Sequence, residues 1–324
     1  MKKTLLLALA CIPVFAYGQA QTEQISSSQE PVAAVSAPEN LKAVSGPPML
    51  GIHWARGFEP NARVTQESSR PQPLRTTRSP NMTYHGGKIL PYTYTKAIFW
   101  GTSWGSNPGD KISGIDAWYT GFGNSNYAKT VDEYTGTNGT VTPTSTYQGH
   151  LIDTTSAAGV NGNNTTTILN EVCKEVTSPD TGGNGYYAVY VDQPRGSAGF
   201  CAWHSAGTCG GKAVQFAFFF KLDGDAGCDP ADTSGLHSQG LAALANVSGH
   251  ELSEARSDPA NPGAWYDSAG AENGDKCAWT FGAPLVTFSD GNSWKIQGEW
   301  SNAAYTAHTG YANSSGQKGC LSGK

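Results

Sequence analysis

Positive charge is scarce in this chain. Its 324 residues carry 21 lysines and arginines against 26 acids, for a net charge of -5. Without a basic excess, nucleic acid and anionic membrane surfaces are not expected partners, and peptide-like or neutral ligands fit better. Long apolar runs are also missing: the longest, Leu5 to Phe15, falls short of the roughly 20 residues a membrane-spanning helix needs. Cysteine is absent between Cys11 and Cys173, and no C-x-x-C pair occurs, which argues against a thiolate metal site. The run Trp203-His204-Ser205-Ala206-Gly207 lacks the leading glycine of a nucleophile elbow, which removes the serine-hydrolase reading.

What is present begins with Lys2 and Lys3, an apolar stretch, and the small residues Gly18 to Ala20, the parts of a signal peptide with cleavage expected after Ala20. Export to an extracellular or periplasmic space gives the six later cysteines (Cys173, Cys201, Cys209, Cys228, Cys277, Cys320) an oxidising environment, and disulfides are expected among them. Their pairing is open.

Residues 21–80 hold 8 of the 18 prolines and 5 of the 7 arginines, among Ser, Gln and Glu, and read as a disordered linker or pro-segment. An apolar island from Met49 to Phe58 fits either a plain tether or docking on the folded part as a propeptide docks. Residues 81–324 are expected to form one α+β domain. Strands are predicted at Lys96–Trp100, Tyr186–Asp192, Ala213–Phe220, Leu285–Phe288 and around Trp294–Trp300. Helices are predicted around Ile112–Tyr119 and Thr165–Val176, with a longer one carrying Leu241, Leu244, Val247 and Leu252, capped by Thr233 or Ser234 and stopped at Pro259.

The chemistry concentrates on that last helix, in His250-Glu251-Leu252-Ser253-Glu254. Residues four apart share a helix face, so His250 and Glu254 can offer one imidazole nitrogen and one carboxylate to a single cation. Glu251, rotated by about 100° from His250, reaches a water beside that cation, the place for a general base. This follows the logic of the H-E-x-x-H helix with a carboxylate in place of the second histidine. The bland alternative is a solvated helix face. Third-ligand candidates are Asp258, Glu272 and Asp275. His204 is a candidate for either ligation or donation to a developing oxyanion. Asp223, Asp225, Asp229 and Asp232 form an acidic loop without EF-hand spacing, read as solvated. Most of the 9 tryptophans are assigned to the core.

Tyr84-His85-Gly86-Gly87, Ile98-Phe99-Trp100-Gly101, Gly199-Phe200-Cys201 with His204, and Gly249 to Glu254 with Asp258-Pro259 and Ala264-Trp265-Tyr266 resemble, in that order, the phosphate-induced (Exordium-like) protein family. The resemblance covers most of residues 81–280, and the tail looks closer to bacterial members. It implies secretion and cell-wall association, and supplies no reaction.

The sequence-based expectation is therefore a secreted, disulfide-stabilised, zincin-like mixed sheet packed on an active-site helix, with a Gly- and aromatic-rich C-terminal region. It would act as a zinc metallopeptidase on peptide or protein substrates. His250, Glu254 and one of Asp258, Glu272 or Asp275 would hold Zn²⁺, and Glu251 would act as base. Two carboxylates on the ion make Ca²⁺ or Mn²⁺ the alternatives. The rival expectation is a non-catalytic extracellular protein that binds cell-surface polysaccharide or a protein partner and uses the helix as a structural ion site.

Overall fold

Lys212–Lys221 reads K-A-V-Q-F-A-F-F-F-K, an aromatic run whose two faces are both apolar, and such a run is stable only as a strand buried on both sides. It is β6 of a six-stranded mixed sheet in a computed structural model of the protein, which describes residues 46–59 and 79–324. The other strands are β1 (Gly51–Trp54), β2 (Thr93–Trp100), β3 (Ser145–Asp153), β4 (Gly185–Pro194) and β5 (Phe200–Cys209). Their spatial order is β1-β5-β6-β4-β2-β3. The pairs from β6 through β4 and β2 to β3 are parallel, while β5–β6 is an antiparallel hairpin and β1 closes that side antiparallel to β5.

Alternation along the strands sends successive side chains to opposite faces. On one face Trp203 stacks on Phe218, its indole N–H donates to Gly162 O, and helix α2 (Thr165–Glu175) covers them. On the other, Phe219 stacks on Tyr190, whose hydroxyl meets Ser248 on helix α3 (Gln239–Ser257). His204, between Trp203 and Ser205, points to the α3 face. Helix α1 (Lys111–Phe122) packs beside α3.

α3 is buried from Gly240 to Ser257 on every side, although it carries Asn246, His250, Glu251, Glu254 and Arg256. The sheet and α1 cover its apolar residues, and the C-terminal region wraps the remainder: Gln297 N–H donates to Asn246 Oδ1, and Asn273 donates to Ser253 O. A buried helix with this many polar groups is tolerable only if each finds a partner. The bland reading of a solvated face is thereby overturned.

Several boundaries differ from expectation. The α3 cap is Ser238, whose hydroxyl accepts from Leu241 N–H, rather than Thr233 or Ser234, which lie in the preceding loop. β3 and β5 escape the sequence reading because S-T-Y-Q-G-H-L-I-D is polar and C-A-W-H-S-A-G-T-C is built from small residues. The strands predicted near Leu285–Phe288 and Trp294–Trp300 are two-residue pieces, Val286–Thr287, Ser293–Trp294 and Glu299–Trp300, and a four-residue strand, Lys318–Leu321, follows them. Within the segment read as linker or pro-segment, Gly51–Trp54 is an ordered strand of the main sheet. The signal peptide at 1–20 and residues 21–45 and 60–78 lie outside the described residues.

Three cysteine pairs stand at disulfide distance: Cys173–Cys209, Cys201–Cys228 and Cys277–Cys320, with Cα separations of 5.1, 5.8 and 5.8 Å. Among the described residues no helix is long and apolar enough to cross a membrane.

Candidate metal centre

The helical repeat brings His250 and Glu254 onto one face, with Nε2 and Oε1 3.1 Å apart. The other oxygen of Glu254 turns to a different histidine: Oε2 lies 3.7 Å from His204 Nε2, delivered by β5. Glu272 and Asp275 arrive from the far side on the short helix α4 (Asn273–Lys276), where a capping box fixes both: the Glu272 side chain accepts from the Asp275 N–H, and the Asp275 side chain from the Glu272 N–H. Glu272 Oε2 stands 3.5 Å from His204 Nε2, and Asp275 Oδ1 3.8 Å from His250 Nε2. α4 approaches α3 closely enough that a Cβ on Gly274 would lie 2.7 Å from His250 Nδ1, so a side chain there would force the two helices apart.

Two potential ligand groups result, His204–Glu254–Glu272 and His250–Glu254–Asp275, sharing Glu254. They differ in how well their atoms are satisfied. His204 Nε2, Glu254 Oε2 and Glu272 Oε2 are all buried without a hydrogen-bond partner. In the second group Glu254 Oε1 already accepts the Asp275 N–H at 3.0 Å, leaving His250 Nε2 as the buried unpartnered atom. Three orphaned donors converging within 4.8 Å of one another fit a divalent cation, because each leaves an unmet desolvation cost that ligation would remove.

Electrostatics agree. Burial holds the His204 and His250 imidazoles down to about 3, hence neutral and able to ligate. Burial pushes Glu254 up to about 8. Glu251, Glu272 and Asp275 are pushed well above the usual carboxylate range, first by burial and then by the charge of Glu254. So many carboxyls in one dry pocket are tolerable as acids or around a cation, and not as bare anions.

Glu251 points toward β1, where its Oε1 accepts the His53 N–H at 3.2 Å while Oε2 is unpartnered. Asp258 is not brought to the group. It ends α3, and its carboxyl accepts the Ala264 N–H; its pKa rises to about 7 through burial. Three of the four acids of the 223–232 loop already have side-chain partners, Asp223 with Lys111, Asp225 with Arg195 and Asp232 with His237, and Asp229 accepts the Ala231 N–H. A third acidic group, Asp153, Glu171 and Glu175, is bridged by Lys174.

Two participants carry no sequence motif. His53 lies 4.2 Å from the His250 ring, and its Nε2 is 3.1 Å from Gln297 Oε1. Gln297 Nε2 in turn meets His250 Nδ1 and donates to Gly274 O, so one amide positions both histidines. A histidine inside an apolar island was the only available signal for His53.

No protein-family model matches the chain, and no curated protein or solved structure is similar to it.

Proposed function

We propose that this is a secreted, metal-dependent hydrolase of peptide bonds, with His204, Glu254 and Glu272 holding a divalent cation and Glu251 acting as general base. The observation that carries it is the convergence of three buried, unpartnered donor atoms, one imidazole and two carboxylates, with the Glu251 carboxyl on the next turn of the same helix keeping one oxygen, Oε2, without a partner. When bound, a divalent cation at these donors supplies the Lewis acidity that makes a water nucleophilic near neutral pH. Glu251, whose pKa is raised by burial, accepts the proton of that water and passes it to the leaving amine. His250, held by Gln297 through Nδ1, keeps Nε2 aimed at Glu254 Oε1 and orients the shared carboxylate. Zinc is the proposed ion; two carboxylates per histidine leave Mn²⁺ and Ca²⁺ as the competitors.

The sheet-and-helix arrangement supports the zincin-like reading, with a carboxylate where the second histidine of that motif stands. Export is supported by the three cysteine pairs, the N-terminal sequence and the Exordium-like motif order.

One observation favours the rival reading, a non-catalytic cell-surface protein with a structural ion: His204, His250, Glu251 and Glu254 are each 0 % exposed. Metal analysis of protein purified without chelators, followed by peptide hydrolysis with and without Glu251→Gln, separates the two. Metal content with no hydrolysis under any condition leaves the structural-ion reading.

A further inference from the structure

The sealed pocket is closed on one side by β1, and the way β1 sits there is informative. It pairs antiparallel with β5 in the register Gly51 to His204, Ile52 to Trp203 and His53 to Ala202, and Leu50 N–H donates to His204 O at 3.0 Å. The strand that delivers His204 to the proposed metal group is thus covered along its outer edge by main-chain pairing, the interaction by which a sheet edge takes up an extended peptide regardless of sequence.

Selectivity comes from the two β1 residues whose sides face the pocket. A Cβ on Gly51 would lie 2.1 Å from Glu254 Oε2 and 2.5 Å from His204 Nε2, so the main chain runs directly against the donor atoms, and only glycine fits there. Two residues on, His53 fills a slot between the rings of His250, 4.2 Å away, and Trp279, 4.5 Å away, with Gln297 at its end. The His53 main-chain N–H occupies Glu251 Oε1. A strand segment therefore lies across the donor group with its backbone on the proposed base, as a substrate would.

β1 is held to the body by main-chain pairing and hydrogen bonds, with no covalent bridge of its own. α4 and the C-terminal strands are linked through Cys277–Cys320, whereas β1 carries no cysteine and is followed in sequence by the proline- and arginine-rich residues 60–78.

Building on the hydrolase reading, we propose that the β5 edge is the polypeptide-binding cleft of this site and that β1 is its resident occupant, an in-cis substrate mimic whose departure admits substrate. The ligand class is an extended polypeptide segment bearing glycine opposite His204 and an aromatic or imidazole side chain two residues later.

The test uses the full chain, folded and oxidised, with a rare-cutting protease sequence inserted between Glu59 and Ser79. After cutting, the N-terminal fragment is separated by gel filtration, circular dichroism checks the remaining body, and binding of a fluorescent peptide of residues 46–59 is followed by anisotropy. The expected result is release of the fragment with the body still folded, saturable rebinding of the peptide, and at least tenfold weaker binding of the same peptide carrying Gly51→Val. With zinc present, the cut protein should hydrolyse an unstructured peptide mixture at least 100-fold faster than the uncut chain, and added 46–59 peptide should suppress this.

A fragment that leaves only when the body unfolds, or a body that does not rebind the peptide, overturns the proposal and makes β1 an ordinary strand. Rebinding with the Gly51 discrimination but no hydrolysis upholds the cleft and its occupant while sinking the hydrolase reading on which the word substrate rests.

Discussion

His204 Nε2 and Glu254 Oε2 face each other across 3.7 Å of buried space with neither atom hydrogen-bonded. Two groups that would each prefer water are held together there without it, and a shared cation relieves both. His204→Ala and Glu272→Gln should each lower metal affinity by more than the ~10–100-fold typical of outer-shell changes. His250→Ala should stay within that range. Competition titration with a chromogenic chelator measures all three; equal losses for His204→Ala and His250→Ala would show that the two ligand groups act as one.

Glu251→Gln preserves shape and removes the base. In the activated protein it should retain full metal content and lose about 10²–10⁴-fold in kcat, the usual contribution of general-base catalysis. Unchanged turnover alongside unchanged metal would assign the proton transfer elsewhere.

Stability of the metal-free protein should depend on pH with a definite sign. Glu254 rises from 4.5 to about 8 on folding, so its favourable contribution is complete below pH 4.5 and fades as pH climbs through 8. His204 and His250 fall from 6.5 to about 3, so theirs is complete above pH 6.5 and is lost on acidification. Between pH 6.5 and 8 the acids act alone, and Tm should fall as pH rises. Saturating zinc should reverse that slope, because ligation requires the deprotonated acids. Calorimetry in chelator and in zinc across this interval is the check.

Cys277 caps α4, the helix that carries Glu272 and Asp275, and its bridge to Cys320 closes a separation of 43 residues. Replacing both cysteines by alanine should cost about 2–5 kcal/mol in denaturant unfolding. Metal affinity should weaken with it. A comparable stability loss without any effect on affinity would mean that the capping box alone positions the two acids.

Much of this site can be read from one helix. The spacing of His250, Glu251 and Glu254 is local, and a helix converts it directly into geometry. Glu272 and Asp275 lie just before Cys277 in the sequence, and the capping box that orients them is written within four residues. His53 and Gln297 could not be found this way, since each reaches the pocket through long-range packing that no periodicity records. β5 was missed because alanine, serine and glycine carry weak strand preference, and its placement comes from pairing with the aromatic β6. Asp258 lies eight residues after His250 and could share its metal only if the chain bent back at Pro259; the end of α3 turns it toward Ala264 instead.

The cysteine connectivity bears on how the chain is made. Cys173, Cys201, Cys209 and Cys228 appear in that order, and joining neighbours as they emerge would give Cys173–Cys201 and Cys209–Cys228; the observed pairs interleave instead. Cys201 and Cys209 sit at the two ends of β5, so the pairing of β5 with β6 in their hairpin sets which sulfur meets α2 and which meets the loop at Cys228. Oxidation ahead of that hairpin would lock β5 away from its neighbours and strand His204 far from Glu254. Yield from an oxidising compartment should therefore depend on a thiol-exchange catalyst more than on the rate of oxidation itself.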